Sequence, residues 1–229
     1  MIPYRRKQFF ITIFLFPFLF SFSSCLTPAK IDGWISEKYG SIPKQRNVDY
    51  ANLKMQGTTS GNAISETKKD KTKVLPLVLF WRLEYSQTST LNPSVPFSYF
   101  NSSFISYANS KGLRQKLNGQ KLELSVDKLP NAFAWKSVDH IIFLVLYYIH
   151  WEQIFFQPQK QDITVTYRLL KDNEETKKGT IIIKDINQKL YLKFFQFSGK
   201  KFIGRYLDQY NTNIQTMSKE LVDKLIIEL

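Results

Sequence analysis

Ile163-Thr164-Val165-Thr166-Tyr167-Arg168-Leu169 alternates apolar with polar residues, and after a charged segment the chain returns as Thr180-Ile181-Ile182-Ile183. Alternation puts Ile163, Val165, Tyr167 and Leu169 on one side of an extended chain, the pattern of a half-buried strand. The two halves predict a hairpin, with Asp172-Asn173-Glu174-Glu175 and Lys177-Lys178-Gly179 in a long solvated loop. Downstream, Ile203, Leu207, Tyr210, Ile214, Met217, Leu221 and Leu225 recur at alternating four and three residues. That spacing lays them on one stripe of an amphipathic helix, which Asn211-Thr212-Asn213 is expected to kink or restart.

Working upstream, Val74 to Tyr85 is rich in Val, Leu and aromatic residues and reads as one strand, with Pro76 near its start. Leu91-Asn92-Pro93-Ser94-Val95-Pro96 ends it. Ser98 is placed to cap a helix carrying Phe100, Phe104, Tyr107 and Ala108, which Lys111-Gly112 stops. Asn118-Gly119 is a turn signal, and Leu122, Leu124 and Val126 then alternate as in a strand. The run from Ile141 to Ile149 is apolar at every position, which predicts a central strand covered on both faces; it is too short to cross a bilayer. This order of elements predicts an α+β domain over residues 74–229: a mixed sheet with helices on one face and a long C-terminal amphipathic helix.

The N-terminus has a different character. Arg5, Arg6 and Lys7 precede an apolar run from Phe9 to Phe22, which ends as Phe22-Ser23-Ser24-Cys25-Leu26. A basic start, an apolar core and small residues at a cleavage point make residues 1–24 a signal peptide, and Pro17 with the short core argues against a permanent span. An ordinary cleaved signal and an uncleaved anchor are the other two readings. Phe22-Ser23-Ser24-Cys25 resembles the lipobox of bacterial lipoproteins, although that family prefers Leu where this chain has Phe22. The resemblance implies that Cys25 is acylated and becomes the new N-terminus, anchoring the body in the cell envelope. Leu26, rather than Asp, after the cysteine implies the outer membrane. In element order, residues 74–229 resemble the small periplasmic α+β domains of accessory lipoproteins.

Cys25 is the only cysteine, so no internal disulfide can form. Removing residues 1–24 takes away three basic residues and lowers the formal charge from +13 to +10. Outside the cytoplasm such a charge is directed at anionic lipid, glycan or an acidic envelope protein, and not at nucleic acid. Residues 25–73 are polar, include Thr58-Thr59-Ser60 and Lys68-Lys69-Asp70-Lys71, and read as a lipidated N-terminus and tether. Trp34, Ile35, Tyr39 and Tyr50 are bulky for a pure spacer, so part of it is expected to pack.

Catalytic signatures are lacking: there is no nucleophile elbow, phosphate-cradling glycine loop or His-Glu-x-x-His. No cofactor is implied. His140 and His150 flank the apolar run, and on a single strand their rings stand about 33 Å apart, too far to share a metal. The strongest binding candidates are the aromatic and basic residues Trp81, Arg82, Tyr85, Trp135, Lys136, Tyr148 and Trp151, with core packing as their ordinary alternative. Three functions compete. The leading one is a non-enzymatic, membrane-tethered binding or accessory protein. A second is a glycan or lipid hydrolase using a carboxylate pair drawn from residues such as Glu84 and Glu152. A third is a lipid shuttle with a cavity lined by Phe80, Phe143 and Tyr147.

Overall fold

A computed structural model describes residues 26–42, 45–56, 61–144, 147–193 and 198–229. The signal-like segment and Cys25 lie outside the described residues. The fold is α+β, built from two sheets and a long C-terminal helix.

The first sheet has the order β1-β5-β8-β9, from β1 (Ala51–Met55), β5 (Lys121–Lys128), β8 (Ile163–Lys171) and β9 (Glu174–Ile183). It is mixed, because β1 runs parallel to β5 while the other pairs are antiparallel. The alternation legible in the sequence turns Leu122, Leu124, Val126, Ile163, Val165 and Tyr167 into the core. The hairpin between β8 and β9 is tighter than expected. Asp172 and Asn173 both adopt positive φ, 51° and 69°, so two residues close the turn and the charged segment continues as strand. Gly179 faces Tyr167 across this pair, and a Cβ there would meet the ring at 2.6 Å, which is why the position has no side chain.

The second sheet is antiparallel, in the order β10-β7-β6-β4-β2, with β3 also paired to β4. Its strands are β2 (Ser65–Lys69), β3 (Lys73–Leu77), β4 (Phe80–Leu91), β6 (Ala132–Phe143), β7 (Tyr148–Pro158) and the short β10 (Leu190–Tyr191). Two expectations fail here for one reason. The single strand expected over residues 74–85 is a hairpin turning at Val78-Leu79, and the expected central strand over residues 141–149 is a second hairpin, β6 to β7. Turns normally announce themselves with Gly, Pro, Asn or Asp. These have apolar residues at their ends, so composition concealed them.

Among the described residues four helices complete the unit: α1 (Pro28–Tyr39), α2 (Ser94–Ser110), the one-turn α3 (Leu113–Lys116) and α4 (Gly199–Glu228). All seven residues of the anticipated stripe on α4 are buried. The helix runs through residues 211–213 without a break. Asn211 accepts a hydrogen bond from the Tyr39 hydroxyl, Asn213 donates to Asn187, and Thr212 donates to the Asp208 carbonyl, so these polar side chains find partners without opening the helix. Helix α2 begins a turn earlier than predicted; Ser98 lies inside it and donates to the Val95 carbonyl.

The folded unit also reaches further back than Val74. Ile31 and Ile35, four residues apart on α1, are buried with Tyr50, Ala51, Leu53 and Ile64 in the same core as α4. Asp32 accepts hydrogen bonds from the Ser65 and Thr67 hydroxyls and from the Thr67 amide, fixing α1 to β2. The stretch expected as a tether is therefore largely structural. Its core residues are too widely spaced along a polar sequence to show a run.

Candidate binding surface

The functional candidate is an arm. At their lower ends β4, β6 and β7 pack on the helices through Phe133 and Phe156, whose rings meet Tyr206 of α4 at 4.8 Å each. At their upper ends β3, β4, β6 and β7 run on as a four-stranded sheet with little packed on either side: every residue of β3 and Tyr148 to Gln153 of β7 are exposed. From Phe156 to Tyr148 this is about 25 Å of strand.

Register divides the arm into rows. Leu77, Phe80, Ile142 and Ile149 form the outermost row shared by all four strands, followed by Pro76, Trp81, Ile141 and His150, then Leu75, Arg82, His140 and Trp151, then Val74, Leu83, Asp139 and Glu152. Beyond the first row stand Val78, Leu79, Phe143, Leu144, Tyr147 and Tyr148, with Val78 96% exposed and Tyr148 66%. No formal charge lies between Lys73 and Arg82, and between His140 and His150 every residue is apolar or Tyr. Because rows alternate in the face they present, both faces of the arm's end are apolar. So large a contiguous apolar surface is unusual on a soluble domain and marks a contact site.

The seven candidate residues fall on three adjacent strands: Trp81, Arg82 and Tyr85 on β4, Trp135 and Lys136 on β6, Tyr148 and Trp151 on β7. They do not line one groove. Trp81, Tyr85, Trp135 and Tyr148 share one face, while Arg82, Lys136 and Trp151 share the other. Trp135 is half-buried at the base and packs on the core, so the core alternative holds for it alone. On the first face Trp81 meets Phe143 edge-on at 5.7 Å, and Phe143 lies 6.5 Å from Tyr148. On the second, His140 stacks between Phe80 at 5.9 Å and Trp151 at 4.9 Å.

The charged residues below the apolar rows are paired. Glu84 accepts from the Lys136 ammonium at 2.9 Å and lies 3.5 Å from the Arg82 guanidinium. The hydrogen bond from Lys136 holds the Glu84 carboxyl below the usual carboxylate range. A lowered folded-state value adds stability that is fully present above the unfolded value of about 4.3 and is lost as pH falls through the lower folded value. Urea unfolding of the intact protein between about pH 6 and pH 3 is therefore expected to show a steeper loss of stability than the same titration of Glu84→Gln. Equal slopes would mean that the pair contributes nothing.

Three sequence expectations are corrected at this site. Glu84 and Glu152 stand in neighbouring rows and so on opposite faces of the sheet, which excludes them as a cooperating carboxylate pair. Glu152 instead accepts from the Ser137 hydroxyl. Phe143 and Tyr147 are exposed at the arm's end and line no enclosed cavity of the kind a lipid shuttle needs. His140 and His150 are not at opposite ends of one strand; the turn brings them to adjacent rows, on opposite faces, with His150 3.2 Å from Asp139. Among the described residues, no group of three or more His, Cys, Asp or Glu is placed to hold a metal.

The sequence signal that could have found the arm is the charge-free run itself. Two such runs, 74–81 and 141–149, are too short for bilayer spans and too apolar at their centres for solvated turns. No family model matches this chain, and no curated protein or solved structure matches it either.

Proposed function

We propose that the protein is an envelope lipoprotein, anchored through acylated Cys25 in the outer membrane, that acts without catalysis as a binding or accessory protein. The arm is its contact surface. The observation that carries this reading is the arm's end, where apolar and aromatic side chains stand exposed on both faces of a sheet that leaves the core. Supporting it, the carboxylates of the arm are engaged in ion pairs or hydrogen bonds on an open surface. The formal charge of +10 in the acylated chain favours an anionic envelope setting.

The reading is tested in cells producing the full chain with a photoreactive residue at Tyr148 or, as a control, at the exposed position Thr216 on α4. Illumination is expected to give a discrete cross-linked product, lipid or protein, from position 148 and none from 216. Equal or absent products from both positions would remove the arm as the contact surface.

A further inference from the structure

We infer that the arm's occupant is the bilayer in which the protein is anchored: the arm lies inclined to the membrane with its Trp81 and Tyr85 face downward and its apolar end below the headgroups. This rests on the lipoprotein reading and gives its binding surface a specific ligand.

The position of the chain before α1 carries the inference. Gln87, Tyr85, Leu83 and Trp81 alternate along β4 and so share a face. The Gln87 amide donates to the Leu26 carbonyl at 2.7 Å, which holds the residue next to Cys25 on that same face. Asp32, further along α1, sits over Ser65 and Thr67, whose partners in register are Leu91 and Ser89. Followed backward from Asp32 to Leu26, the chain thus moves from Leu91 toward Gln87, in the direction of the arm's end. Leu26, the residue that follows Cys25 in sequence, thus lies on the Trp81 face, six residues of strand from Trp81, or about 20 Å. A membrane holding an acyl group on Cys25 runs beneath the face that carries Tyr85, Trp81, Phe143 and Tyr148.

The composition of the arm favours lipid over a protein groove. A partner protein covers one face of a sheet, whereas the outer rows are apolar on both, as in Leu75 and Leu77 against Val74 and Trp81. A surrounding apolar solvent satisfies both faces at once. Trp81 and Trp151 lie among these rows and Tyr85 lies behind them, and Trp and Tyr are the residues that settle at the headgroup level. The Phe143–Tyr148 pair, the Leu77 row and the Trp81 row, in which His150 is the one ionisable side chain, make a depth of about 10 Å before the row of Arg82, which fits one interfacial zone and falls well short of a crossing. Pro76 on the outer strand β3 lacks an N–H, which lessens the cost of exposing that edge.

The full acylated chain is reconstituted into vesicles of phosphatidylethanolamine and phosphatidylglycerol, with an environment-sensitive fluorophore on Leu75→Cys, Tyr148→Cys or the control Thr216→Cys. Acylated Cys25 offers no thiol to the label. The probes at 75 and 148 are expected to be quenched several-fold more by nitroxide lipids than the probe at 216, and less by aqueous iodide. Probes at 75 and 148 that behave like 216, or that are shielded from both quenchers in an oligomer, overturn the inference. The mass of the N-terminus is read on the same sample. An acylated N-terminus with aqueous probes sinks the insertion alone, whereas an unmodified Cys25 sinks the lipoprotein reading and the insertion with it.

Discussion

Phe133→Ala is expected to lower the stability of the domain by about 3–5 kcal/mol, the range for truncating a buried aromatic ring. Phe133 is fully buried where the arm meets α4, with ring contacts to Phe156 at 5.8 Å, Tyr206 at 4.8 Å and Tyr210 at 6.5 Å. Its neighbours are poorly able to fill the space it leaves. The Tyr210 hydroxyl is tied to the Pro130 carbonyl, and Phe156 is stacked on Tyr206 and packed at a tilt against Phe202 on the helix. A cavity that cannot collapse costs more than the transfer of the lost atoms. Domains of this kind are stable by about 5–15 kcal/mol, so this one change removes a large share of the margin. Equilibrium urea unfolding checks it, with Phe133→Leu as a milder comparison. A loss below about 1 kcal/mol for the alanine variant would mean that the arm is not fixed to α4 through this cluster.

Cys25→Ala is expected to move the protein almost wholly from the membrane to the soluble fraction, without loss of the fold. Each buried CH₂ of an acyl chain contributes about 0.8 kcal/mol, so two or more chains hold a protein where one holds it marginally. The insertion of a few exposed residues at the arm's end is weaker than this and is not expected to retain the variant. Folding is spared because, among the described residues, the chain is held from Leu26 onward: Leu26 packs against the core and the first buried side chains are Ile31 and Ile35 on α1. Cell fractionation and the mass of the mature N-terminus separate the three readings of residues 1–25. A lipoprotein leaves the membrane on substitution, an uncleaved anchor stays bound in both forms, and an ordinary cleaved signal gives a soluble wild type.

The parts of this fold legible in the sequence are those in which polarity changes with a regular period. The β8–β9 hairpin and the stripe on α4 each bury one side and solvate the other, so the alternation of Ile163 to Leu169 and the spacing of Ile203 to Leu225 report the element directly. Where polarity does not alternate, the signal fails. Val78-Leu79 turns without a turn residue, so two strands read as one; β6 and β7 read as a buried centre although their far end is exposed. Residues 28–69 fail in the opposite sense, since their few core side chains sit among polar ones and take meaning only from the contacts of Asp32 and Tyr39 with distant strands and helix. The candidate site was legible as residue types: aromatic and basic side chains near 81–85, 135–136 and 148–151. Their division between two faces was not, because it depends on the registers of β4, β6 and β7.

The exposed apolar end of the arm is central to this account, and charge placed there tests it most directly. Val78→Asp combined with Leu144→Asp alters two exposed positions, so the melting temperature is expected to stay close to wild type. With the photoreactive residue at Tyr148, the same variant is expected to lose the cross-linked product to background while Cys25 remains acylated. An undiminished product from a folded, acylated double variant would contradict the arm's role.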